Sequence, residues 1–153
     1  MILKEESGPS SWENPSPGLH QAVCIDVIDL GVQQTNYGEK PQLKLMFELD
    51  QQRSDGGPIR MGRKYTATLN EKGALRGDLK SWRGADLTAD EKAEFNLEKL
   101  VGAQAQLNVE EFQKSDGTAG TAIGAVLPPA DGQDLKPSDD YTRAQDRNEE
   151  DPF

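Results

Sequence analysis

A chain of 153 residues with only 34% hydrophobic content and a net charge of −10 fits one modest domain with unpacked flanks, because packed domains reach about 45–50% apolar residues. A single cysteine, Cys24, and a single histidine, His20, exclude an internal disulfide and a Cys/His zinc site. Neither a signal peptide nor a run of about 18 apolar residues is present, so a soluble intracellular protein without a membrane partner is expected.

Residues 1–17 are rich in Ser, Pro and charge and lack periodicity, which predicts a flexible arm. Trp12 is its one aromatic, either docked on the domain or stacked on a ligand. From Leu19 to Val32 the chain alternates as a long strand. Val23, Ile25 and Val27 share one face and Cys24, Asp26 and Ile28 the other, with Gly31 as a bend or bulge. Residues Gln33–Pro41 carry turn chemistry in Asn36, Gly38 and Pro41. Gln42–Asp50 is the clearest alternation, with Leu43, Leu45, Phe47 and Leu49 inward and Lys44 and Glu48 outward. A turn at Asp55–Pro58 leads into a third strand over Ile59–Leu69.

The period then changes. Leu75, Leu79 and Trp82 form the stripe of one amphipathic helix, with Asn70 as the expected N-cap and Gly84 as the stop. Thr88 and Glu91 have capping-box spacing for a second short helix, continued by Phe95, Leu97 and Leu100. Two more strands follow, Ala103–Phe112 and Thr121–Leu127, joined at Ser115-Asp116-Gly117. Pro128-Pro129 ends the regular structure, and residues 129–153 read as a disordered acidic tail. Three strands, a helical insertion and two strands is the order of a five-stranded OB barrel, and a two-layer α+β sheet could be built from the same elements. Because every strand alternates and only one stretch could cover a face, a mainly β, OB-like domain is expected over residues 18–128.

Chemistry points to binding, not catalysis. His20 and Cys24 sit about 13 Å apart along one strand and form no dyad, no phosphate loop is present, and Asp26 and Asp29 read as solvent-facing charges. No enzyme activity, cofactor or metal is expected. Charge is unevenly spread: Arg53–Arg83 holds eight basic against three acidic residues, net +5, while Ser138–Phe153 carries −4. At physiological salt the Debye length is about 8 Å, so a local basic groove works on an acidic protein. Single-stranded DNA is held by cations along its backbone and by aromatic faces under its bases. Strands two and three and their loops, the binding face of OB folds, offer Tyr37, Lys40, Lys44, Arg60, Arg63, Lys64 and Tyr65. Tyr65 shares the inward parity of its strand, so a core position and a ligand-facing one both stand. Trp82 reads as core. At the end of the chain Glu149, Glu150 and Asp151 precede Pro152-Phe153, a pattern suited to capture by a basic, apolar pocket on a partner.

The acidic run ending in Pro152-Phe153 resembles the tip of bacterial single-stranded-DNA-binding proteins, with Asp151 where Ile normally precedes Pro-Phe. The body, over roughly residues 17–127, resembles instead a family of bacteriophage-encoded proteins understood as OB-fold single-stranded-DNA-binding proteins. Residues 17–23 (PGLHQAV), 36–41 (NYGEKP) and especially 75–84 (LRGDLKSWRG) carry that likeness. It implies a protein that coats single-stranded DNA during phage replication or recombination in the cytoplasm of the bacterial host, recruiting replication, recombination and repair proteins through its tail. Self-association is left open. The rival readings are an OB-fold structural or adaptor protein and an acidic DNA-mimic inhibitor of a host enzyme.

Overall fold

The computed structural model describes residues 14–146. Trp12, most of the expected arm, and the expected recruiting residues Glu149, Glu150, Asp151, Pro152 and Phe153 lie outside the described residues.

The protein is mainly β. Strands β1 (Gly18–Thr35), β2 (Gly38–Gln52), β3 (Pro58–Thr66), β4 (Gln104–Gln113) and β5 (Ala119–Leu127) form one antiparallel sheet in the order β3-β2-β1-β4-β5. Helices α1 (Ala74–Arg83) and α2 (Ala89–Ala93) and a 3-10 turn at Leu97–Leu100 fill the stretch between β3 and β4. The sheet is open: its edges β3 and β5 approach without forming a ladder, joined by Arg63 Nη1 donating to the Ile123 carbonyl at 3.4 Å.

Strand β1 holds the sheet together because it is long enough to pair twice. Its first residues pair with β4 from Gly18↔Val109 to Val23↔Gln104, and its remainder pairs with β2 out to Thr35↔Gly38. The β1–β2 loop is shorter than expected: the strands run on until only Asn36-Tyr37 turn, and Gly38 takes a positive φ of 97°. Pro41 is tolerated inside β2 because its carbonyl side faces β3, whose ladder stops at Thr66.

The expected parity of β1 is corrected by a bulge. Cys24 pairs with Phe47 and Asp26 with Met46, so Ile25 is the extra residue and the alternation flips there. Ala22, Cys24 and Val27 therefore join the main core, whereas Val23 and Ile25 pack with Met46 on the second face. A second shift between Asp29 and Gly31 matches the bend expected at Gly31.

The main core lies between the first sheet face and α1. Leu43, Leu45, Phe47 and Leu49 point into it as expected, and α1 adds Leu75, Leu79 and Trp82. The Phe47 and Trp82 rings meet at 5.6 Å between centroids, and the indole N–H donates to the Gln104 carbonyl at 2.7 Å, so both parts of Trp82 are satisfied. The N-cap of α1 is Gly73, not Asn70, whose Oδ1 instead accepts from the Lys72 amide within the preceding turn. The Gly84 stop and the Thr88–Glu91 capping box are present.

The part of the second face around Val23, Ile25 and Met46 is covered by residues expected to be tail. For residues 130–146 that expectation is corrected: they form a strap across β1 and β2. Leu135 and Tyr141 pack over Val23, Ile25 and Met46. Gln133 Nε2 donates to the Ala22 and Ala105 carbonyls at 3.0 and 2.9 Å. Glu48 and Asp26, expected to face solvent, are 2% and 0% exposed beneath the strap. Glu48 accepts from the Ser138 amide at 2.7 Å and Ser138 Oγ at 2.8 Å. Asp26 accepts from Tyr141 Oη at 2.7 Å, Ala144 N at 2.8 Å and Arg143 Nε at 2.9 Å. Burial by itself would raise the Asp26 carboxyl, but these three donors outweigh it and hold the group below its ordinary value. At the other end, residues 14–17 are tied down too, with Ser16 bonded to Gln51 and accepting from His20 Nε2. No helix among the described residues is long and apolar enough to cross a membrane.

Candidate nucleic-acid interface

Seven side chains were expected to meet single-stranded DNA, and the sheet sorts them into three groups. Tyr37 sits at the tip of the β1–β2 hairpin, 89% exposed. Lys40, Lys44, Arg60 and Lys64 share the second face. Along β2 the alternation puts Lys40, Gln42, Lys44, Met46 and Glu48 there, and the register aligns Lys44 with Lys64 and Glu48 with Arg60. Arg63 and Tyr65 belong to the first face, opposite Leu45 and Leu43.

Tyr65 is corrected as a stacking candidate. It is 2% exposed, and its hydroxyl donates to Asp78 Oδ2 at 2.6 Å beneath α1. Burial, reinforced by Asp78, pushes the phenol far above its usual range, so it stays a neutral donor. A ring enclosed in this way offers no face to a base.

The arginines are engaged inside the molecule. Arg63 pairs with Asp78 at 2.9 Å and lies over the Tyr65 ring, 5.3 Å from its centroid. Arg60 pairs with Glu48 and Asp140, both at 2.9 Å, and stacks on Tyr141 of the strap. Arg53, Arg76 and Arg83 pair with Asp55, Asp86 and Glu91. Every arginine of the basic window is thus an internal cross-link, which suits a planar fork that binds carboxylates in fixed geometry. The lysines are not so used: Lys40, Lys44, Lys64, Lys72 and Lys80 make no ion pair among the described residues. Lys44 and Lys64 are cross-strand neighbours of like charge, an arrangement that costs stability unless an anion lies across it. The stem of Lys44 runs over Gly62, where an added Cβ would fall 2.3 Å from its Cε.

An open groove of about 860 Å³ runs from the hairpin tip to the start of α1, lined by Tyr37, Lys40, Pro41, Ala67, Thr68 and Lys72 among others. Lys72 was not singled out from the sequence; nothing but its place in the basic window marks it, because its approach to Lys40 depends on how β3 leads into α1. Among the described residues no group of three His, Cys, Asp or Glu could hold a metal. Cys24 is fully buried, and burial pushes its thiol up to about 12, which makes it a small core residue without nucleophilic character.

No protein-family model matches the chain, and no curated protein matches it.

Proposed function

We propose that this chain coats single-stranded DNA with little sequence preference, on an OB-like barrel, as a phage-type replication or recombination protein in the bacterial cytoplasm. The observation that carries the reading is an exposed ring, Tyr37, that shares a groove with Lys40, with Lys44 and Lys64 farther along β2 and β3 on the same sheet face as Lys40, none of the three lysines paired with a described acid. Lysines left as point charges suit phosphates whose spacing is not fixed, and a ring at a hairpin tip stacks on any base, at about 1–3 kcal/mol per base. The barrel is supported by the strand order, the helical insertion after β3 and the approach of Arg63 to Ile123 between the two edges. Arg60, held between Glu48 and Asp140, adds no free positive charge to the lysine face.

Partner recruitment through Glu149, Glu150, Asp151, Pro152 and Phe153 belongs to the same proposal, as does competition between these acids and DNA for the lysine face. Truncation after Asp146 is the clean test of that competition. A cut at residue 138 would also remove the strap from Asp26 and Glu48. The shorter protein should bind DNA more tightly at low salt; unchanged affinity removes the idea.

The main experiment compares oligo-dT with duplex DNA over a salt series, for the full chain, Tyr37→Ala and Lys44→Ala/Lys64→Ala. Single strands should be preferred, with log affinity falling about 0.7 per log salt for each phosphate contacted. The double lysine variant should lower that slope by roughly 1.4, and Tyr37→Ala should weaken binding by about 1–3 kcal/mol without changing stability. Equal binding to duplex, or a response flat in salt, overturns the reading in favour of an adaptor.

A further inference from the structure

The β1–β2 and β4–β5 hairpins close at opposite ends of β1, and only the second carries a net charge at its tip. The β1–β2 hairpin closes beyond the C-terminal end of β1, whereas β4 runs past the start of β1 at Gly18↔Val109 and turns into β5 beyond its N-terminal end. Around that second turn, residues 110–118 carry Glu110, Glu111 and Asp116 against Lys114, a net −2. From it projects Phe112, 47% exposed. The ring is braced: it lies across Gly120 of the facing strand, where an added Cβ would fall 2.8 Å from its Cζ. The groove at the other end has the complementary character, an apolar floor of Pro41 and Ala67 flanked by Lys40 and Lys72, with no acid in its lining.

We infer that the acidic β4–β5 hairpin of one copy docks, Phe112 first, into the Lys72 side of the β1–β2 groove of a second copy. The occupant follows from charge: an aromatic ring with Glu110 on its own face of β4 and Glu111 on the other matches an apolar groove edged by lysines, and both halves are on this one chain. The contact joins two different surfaces at opposite ends of the molecule, so it is heterologous and repeats head to tail without closing into a dimer. A single hairpin buries less than the roughly 1,200 Å² of stable interfaces, so the contact is weak between free molecules. It becomes effective when two copies sit side by side on one strand, where tethering replaces concentration. The consequence is cooperative coating. Its DNA-bound form rests on the function proposed above; its DNA-free form does not.

Two measurements on the full chain separate the two. Sedimentation over rising protein concentration without DNA should show an average mass that climbs beyond the monomer without a plateau, and Phe112→Ser should remain monomeric. Glu110→Lys should also abolish the climb, and combining it with Lys72→Glu should restore it. On oligo-dT long enough for several copies, Phe112→Ser should lose roughly tenfold or more in apparent affinity, while on a single-copy oligonucleotide it should bind as the unaltered chain does. Self-association that ignores Phe112, a failure of the charge exchange to restore it, or equal cooperativity in both proteins overturns the inference. Absence of DNA binding with self-association intact would instead overturn the function and leave the hairpin contact standing.

Discussion

Replacing Asp26 by Asn tests whether the C-terminal strap is part of the fold. One oxygen of Asp26 accepts from Tyr141 and Ala144, the other from Arg143. An asparagine oxygen can keep the first two bonds, weakened by loss of charge, but its amide then faces the Arg143 N–H, donor against donor. The lost charge-assisted bond is worth about 1.5–3 kcal/mol. Arg143 itself is not orphaned, because Glu98 holds it at 2.6 and 3.0 Å. The total should therefore lie near the lower end of the cost of breaking a buried pair, about 3 kcal/mol, or roughly 10 °C in Tm. Urea unfolding of Asp26→Asn beside the parent chain reads this directly, with hydrogen exchange over residues 130–146 reporting whether the strap opens first. The folded Asp26 carboxyl is held below its ordinary 3.8, so its contribution is complete above that value and disappears as pH falls through the lower folded value. The gap between parent and variant should therefore close in acid. A loss under about 0.5 kcal/mol at neutral pH, the range of ordinary surface changes, would refute an enclosed Asp26 and a docked strap together.

Tyr65→Phe removes the 2.6 Å bond to Asp78 and should cost about 1–2 kcal/mol in denaturant while leaving oligo-dT affinity within twofold. A tenfold fall in affinity at unchanged stability would return Tyr65 to the ligand face. Cys24, fully buried with its thiol pushed up to about 12, should resist a thiol reagent in the native protein and react at the rate of unfolding, faster in Asp26→Asn. Immediate labelling would contradict the packing around β1.

The elements were legible because they are local. Alternation in Gln42–Asp50, the Leu75–Leu79–Trp82 stripe and the Thr88–Glu91 box each depend on neighbours a few residues apart, and each stands in the structure. Where sequence reasoning failed, one extra residue or one distant partner decided. The bulge at Ile25 reverses the side chains of β1 from Asp26 until the second shift after Asp29, and no residue type announces it. Tyr37, at the hairpin tip, needed only the turn chemistry around it, whereas Tyr65 needed the position of α1 before its hydroxyl had an owner.

Composition by itself determined that the chain concentrates positive charge in its middle and negative charge at its end, since counting requires no geometry. Which of those charges remain available was decided only by tertiary structure. Arg60 and Arg63 find carboxylates 12 or more residues away and are spent on holding the fold, while Lys40, Lys44 and Lys64 are left facing outward. The polar look of residues 130–146 likewise says nothing of docking, because the groups that bind them, Asp26 and Glu48, are polar themselves and lie about 90 to 120 residues earlier in the chain.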